Sequence, residues 1–107
     1  MEYTYLKDLT DTSVIPKEGI LSRTLLDTPA MKLVMFHFAL GEELSEHTAS
    51  LPAVIQLVHG DMRLTLGDDV HEVKPGAFIY MPAHLKHAVY AKTPLIMLLQ
   101  LLKVESK

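Results

Sequence analysis

Residues Gly41 to Gly60 read G-E-E-L-S-E-H-T-A-S-L-P-A-V-I-Q-L-V-H-G, and the fold turns on how that run is divided. Gly41-Glu42-Glu43 ends one extended segment, and Leu44 to Thr48 begins the next. Leu51-Pro52 makes a second break, because proline fixes its own backbone angle and restricts the residue before it. Ala53 to His59 is then a short strand of Val, Ile and Leu around one Gln, closed by Gly60-Asp61. A second run, Gly76 to Ala91, reads G-A-F-I-Y-M-P-A-H-L-K-H-A-V-Y-A and has the same character: a strand, a proline break, a second strand.

Working outward, the rest of the chain repeats this rhythm. Ile20 to Leu26 is a strand that closes in the turn Asp27-Thr28-Pro29. Met31 to Leu40 is apolar on both faces, which calls for burial on both sides. Its exception, His37, is read as a hydrogen-bonded core histidine. Met62 to Leu66 alternates, with Met62, Leu64 and Leu66 on one face and Arg63 and Thr65 on the other, as a half-exposed strand does. Gly67-Asp68-Asp69 is a hairpin turn, Val70 to Lys74 returns, and Pro75-Gly76 turns again. Ala77 to Met81, His87 to Ala91 and Leu95 to Val104 complete the set. Leu95 to Leu102 is rich in good helix formers, but its neighbours decide for strand. Strands separated by Gly, Pro and Asp turns at this spacing make a sandwich or barrel, and closure removes exposed edges. Residues 1–19 read as an arm that covers the barrel, and residues 20–107 as the barrel domain.

Composition narrows the function. A chain of 107 residues buries one core. Its net charge is -3 and no Lys or Arg adjoins another, which argues against a nucleic-acid or anionic-membrane surface. It has no cysteine, so disulfides, thiolate nucleophiles and sulfur ligands are excluded. Its apolar runs are too short to span a membrane, and no signal segment opens it, so a cytoplasmic protein is expected. The apolar fraction of 49% and the strands apolar on both faces point to a homodimer that covers part of this surface.

The two quoted runs resemble the paired motifs of the cupin family. Gly41, His47 and Gly60 fall at the intervals of the first motif, and Gly76, Pro82 and His87 at those of the second. Ala49 and Ala53 stand where that family has a second His and a Glu; His84 replaces a glycine and Ala91 an Asn. The resemblance implies an all-β, double-stranded β-helix of jelly-roll form. It assigns His47 and His87 to two of the positions that hold a metal. A divalent transition metal such as Fe, Mn, Ni or Zn suits imidazole, yet two imidazoles make a weak centre beside the three protein ligands usual in catalytic sites.

Three readings of His47 and His87 stay open: a weak divalent metal site, a metal-free pocket that hydrogen-bonds a small molecule, or structural histidines. Candidate neighbours in a ligand pocket are Gln56, Tyr80 and His84. Alternation puts Gln56 on the face opposite Ala53, whereas His84 follows a proline turn where alternation need not hold. Tyr80 shares a strand face with Phe78 beside Pro82. His59 and His71, at hairpin ends, read as solvated. No G-x-S-x-G elbow, phosphate loop or dinucleotide fingerprint is present. The two functional classes are therefore a small-molecule binding module and a metal-dependent enzyme of dioxygenase or isomerase type.

Overall fold

The computed structural model describes residues 1–103. Nine strands follow a single 3-10 turn at Thr12–Val14, and the described residues contain no α-helix. They are β1 (Ile20–Asp27), β2 (Met31–Phe38), β3 (Glu43–His47), β4 (Ala53–His59), β5 (Met62–Leu66), β6 (Asp69–Val73), β7 (Phe78–Met81), β8 (His87–Ala91) and β9 (Leu95–Leu102). Every strand expected from the sequence is present, with ends shifted by a residue or two. The expected end of β9 at Val104 lies outside the described residues.

All pairings are antiparallel, and they form two sheets. The first has five strands in the order β1-β2-β9-β4-β7, and the second four in the order β3-β8-β5-β6. Their inner faces pack as a jelly roll. Phe38, Ile55, Met62, Leu64, Leu95 and Met97 lie between the sheets, each at most 2% exposed. Truncation of such a side chain to alanine costs about 2–5 kcal/mol, because lost transfer energy and the residual cavity add.

The outer face of the five-stranded sheet carries a second, smaller cluster. Met35, Ile96 and Leu98 are buried there, and Leu9 and Ile15 of the N-terminal arm pack on them. This explains why β2 and β9 are apolar on both faces: one face meets the opposite sheet and the other meets the arm. The surplus apolar surface attributed above to a second copy is thus partly covered within the chain.

One turn depends on glycine. Gly60, with φ near +90°, joins β4 to β5, and a Cβ there would stand 2.4 Å from the Pro94 carbonyl oxygen. Neither the backbone angle nor the space admits a side chain. This turn keeps β4 and β5, which belong to different sheets, against the Pro94 corner that feeds β9.

Candidate functional site

β3 and β8 pair so that His47 lies directly opposite His87. Opposed residues of an antiparallel pair project from the same face, so the two imidazoles are brought together by the ladder itself. Their ring centroids are 4.2 Å apart, with the planes inclined at 58°. A β-bulge between Leu44 and His47 sets this up. It inserts an extra residue, so that Leu44 and His47, which strict alternation would send to opposite faces, line the same cavity.

Both rings are oriented by the backbone. Nδ1 of His47 lies 2.7 Å from the Ser45 carbonyl oxygen, and Nδ1 of His87 lies 3.0 Å from that of Leu85. A carbonyl oxygen only accepts, so Nδ1 carries the proton in each ring and donates it. In the neutral imidazole the lone pair is then on Nε2. Burial pushes His87 below the ordinary imidazole range; the Leu85 hydrogen bond opposes that, and the neighbouring His47 adds to it. His87 is 6% exposed, whereas His47 is open to solvent at the mouth.

Beneath the pair is a cavity of about 40 Å³, walled by Phe36, Leu44, Ile55, Val89, Met97 and Leu99. A water molecule occupies roughly 30 Å³ of liquid, so the space suits an ion with a water, and no larger organic molecule fits inside. Its only polar side chains are the two histidines. Among the described residues no group of three or more His, Cys, Asp or Glu is gathered to hold a metal. The tautomers nevertheless fit a metal, because a ligating histidine characteristically gives its other N–H to a carbonyl or carboxylate. What the chain offers is a two-imidazole hold.

The other candidates stand elsewhere. Gln56 is on the outer face, as alternation requires, and accepts a hydrogen bond from Gln100 Nε2 at 2.6 Å. Tyr80 pairs with Val54 in the β4–β7 ladder, and Phe78 with Gln56, so both aromatics share the outer face. Tyr80 is 55% exposed in an open groove by β6 and β7, away from the histidine pair. His84 is exposed and does not line the cavity; its backbone N–H is spent on the Ala49 carbonyl at 2.8 Å. The freedom after Pro82 therefore turns His84 outward. His59 and His71 are exposed.

His37 corrects another expectation. It is buried at 2% exposure, but its Nδ1 has no hydrogen-bond partner among the described residues. It faces the outer side of the sheet, where it lines a cavity of about 270 Å³ roofed by the N-terminal arm. The arm, read from sequence as a cover for the barrel, does pack on this sheet. The signal available was one imidazole in an otherwise apolar strand.

Residues 34–100 match the family described as the cupin domain. The fold is shared with a conserved protein of unknown function from Streptococcus pyogenes, at 30% identity and a TM-score of 0.83, covering 99% of this chain and 93% of that one. A cupin superfamily protein from Desulfitobacterium hafniense is similar at 26% identity and a TM-score of 0.80, covering 92% of this chain and 93% of that one. A cupin 2 conserved barrel domain protein from Leptotrichia buccalis matches at 30% identity and a TM-score of 0.75, over 82% of this chain and 43% of that one. No curated protein matches in sequence. No helix among the described residues is long and apolar enough to cross a membrane.

Proposed function

This chain belongs to the cupin family, and we propose that it works as a binding module whose polar end is the His47–His87 pair. The observation that supports this most is the paired tautomer: both Nδ1 atoms donate to backbone carbonyls, so both Nε2 atoms are left as acceptors above one small apolar cavity. A small molecule with a donor group sits at the mouth, over the exposed His47, with only its tip in the cavity. The same two Nε2 atoms hold a divalent transition metal weakly, since Ala49 and Ala53 supply no further ligand. When bound, such an ion supplies a Lewis-acid contact for an oxygen or nitrogen of the ligand.

Nickel titration by calorimetry tests this, because Ni(II) favours imidazole. Saturable binding at neutral pH that His87→Gln removes is the expected result. No heat of binding for Ni(II) at concentrations up to about 1 mM, where the free energy of a site is only about -4 kcal/mol, would overturn the metal half of the reading.

A metal-dependent enzyme of dioxygenase or isomerase type is the second reading. The accessible position of His47 favours it, because substrate could reach an ion there. Against it, the lining contains no carboxylate, hydroxyl or amide to move protons or orient a substrate. One equivalent of Fe, Mn, Ni or Zn retained through purification, and lost in His47→Ala, would move the balance to the enzyme.

We also propose a homodimer, built on the exposed Phe78 and Tyr80 of edge strand β7. An edge strand with outward aromatics is a surface that a second copy covers readily. Light scattering that gives the monomer mass of 12.0 kDa at micromolar concentration would remove this proposal.

A further inference from the structure

The outer cavity under the arm is a better-built polar site than the barrel interior. Its volume of about 270 Å³ is several times that of the barrel cavity and comes close to the range of about 300–1,000 Å³ typical of small-molecule sites. Its floor is β1 and β2, with Leu25 and Met35 apolar and His37 the buried polar ring; its roof is arm residues from Tyr5 to Leu9, with Asp11 and Val14.

Charges of both signs face it. Arg23 lies on β1, and Lys7, Asp8 and Asp11 come from the arm. Neither Arg23 nor Lys7 forms an ion pair among the described residues. Asp8 Oδ1 accepts from the Thr10 N–H and hydroxyl, and Asp11 Oδ1 accepts from those of Ser13. These bonds hold both carboxyls below their ordinary range, so both are anionic at neutral pH. Each keeps its second oxygen without a hydrogen bond among the described residues. The cavity therefore offers two unpaired cations, carboxylate oxygens and an apolar wall beside the buried His37 ring.

We propose that this cavity binds a small zwitterion with an apolar body, of the α-amino acid class: its carboxylate on Arg23, its ammonium donating to Asp11, and its side chain against Leu25 and Met35 beside the buried His37 ring. A simple carboxylate would leave Asp8 and Asp11 unanswered and repelled. A simple amine would leave Arg23 unanswered. A zwitterion satisfies both signs together. No backbone–backbone hydrogen bond among the described residues joins residues 1–14 to the barrel, so the roof is held by side-chain packing, chiefly of Leu9 and Ile15.

The test is an NMR titration of the full chain with L-leucine, followed at the His37 ring nitrogens and the Leu25 and Met35 methyls. Two analogues serve as controls: 4-methylpentanoate, which lacks the ammonium, and 3-methylbutylamine, which lacks the carboxylate. Leucine is expected to give saturable shifts at all three residues, with each analogue at least about tenfold weaker, a loss of one charge-assisted contact. Arg23→Gln and Asp11→Asn change exposed side chains and keep the fold, and each is expected to weaken leucine by a similar factor. No saturable shift with leucine up to about 10 mM would overturn the proposal, as would either analogue binding as tightly as leucine. So would unchanged affinity in both variants.

Discussion

The two buried histidines of this molecule differ in one respect that separates their regions. His87, inside the barrel, has its Nδ1 answered by the Leu85 carbonyl; His37, on the outer face of the other sheet, has its Nδ1 answered by nothing among the described residues. Inside, the backbone has fixed the tautomer before any ligand arrives. Outside, the ring is buried with that nitrogen unpaired among the described residues. The difference is one of preorganisation: backbone carbonyls fix the tautomer of both interior rings, whereas no hydrogen bond to Nδ1 among the described residues fixes that of the outer ring.

The largest expected effect sharpens that contrast. His87→Gln removes one of the two nitrogens proposed to hold a metal, and Ni(II) affinity should fall by about a hundredfold or more, roughly 2.7 kcal/mol. His37→Gln should leave it within about twofold, because that ring is on the far side of the sheet. Calorimetry on the two variants checks both halves. Equal losses would mean that the outer ring supports the inner pair, and the separation of the two regions would fail.

Stability should move in opposite directions at the two sites. A buried polar atom without a partner costs about 1–3 kcal/mol, and an apolar ring of similar shape relieves it. His37→Phe should therefore stabilise the fold by about 1 kcal/mol, with the adjacent cavity giving room for the larger ring. His87→Phe should cost about 1 kcal/mol, because it strips the Leu85 carbonyl of its donor. Urea denaturation, read at the midpoint with an unchanged slope, measures both. A destabilised His37→Phe would show that Nδ1 already has a partner in solution.

Much of the fold was legible because turns and strands were written in separate letters. Glycines and prolines marked the breaks, and β-branched and leucine runs filled the space between them. The histidine pair was legible from its place in the two runs, and Gln56 from simple alternation. Other features depend on pairing, which one strand read alone does not show. The bulge that sends both Leu44 and His47 inward depends on the β3–β8 register. Tyr80 faces outward because β4 sets the phase of β7. The doubly apolar β2 reads as buried on both sides, and it is; β9, assigned to strand only from its neighbours, is buried on both sides as well. What covers the second face was the arm, whose packing residues Leu9 and Ile15 are too sparse to show a period.

Acid should expose the outer region next. Burial is the main cause that lowers His37 from its ordinary value of 6.5, and Arg23 adds to it, while Asp11 opposes both. A folded-state value below the unfolded one means that the unfolded chain binds the proton first. Stability from this group is then complete above about pH 6.5 and is lost as pH falls through the folded value. Thermal midpoints of the native chain should fall between pH 7 and 5, and those of His37→Phe should fall less steeply. Identical profiles would assign the acid sensitivity to other groups.

The smallest effect concerns the loop that carries the inner site. His84 is the one non-glycine residue among those described with a positive φ, 70°, at the position where the resemblance expects glycine. A left-handed backbone costs an L-residue about 1–2 kcal/mol, which local bonds can offset, and here the His84 N–H reaches the Ala49 carbonyl. Glycine would remove the steric cost but enlarge the entropy of the unfolded chain by about 0.5–1 kcal/mol. The ring is exposed, so its removal forfeits little packing. His84→Gly should thus change stability by no more than about 1 kcal/mol, in the stabilising direction, and leave Ni(II) affinity unchanged. A clear loss of affinity would show that the His84 ring does reach the pair in solution. Strain in the inner loop would then be holding a third imidazole in reserve, and the contrast between a finished inner site and an unfinished outer one would have to be redrawn.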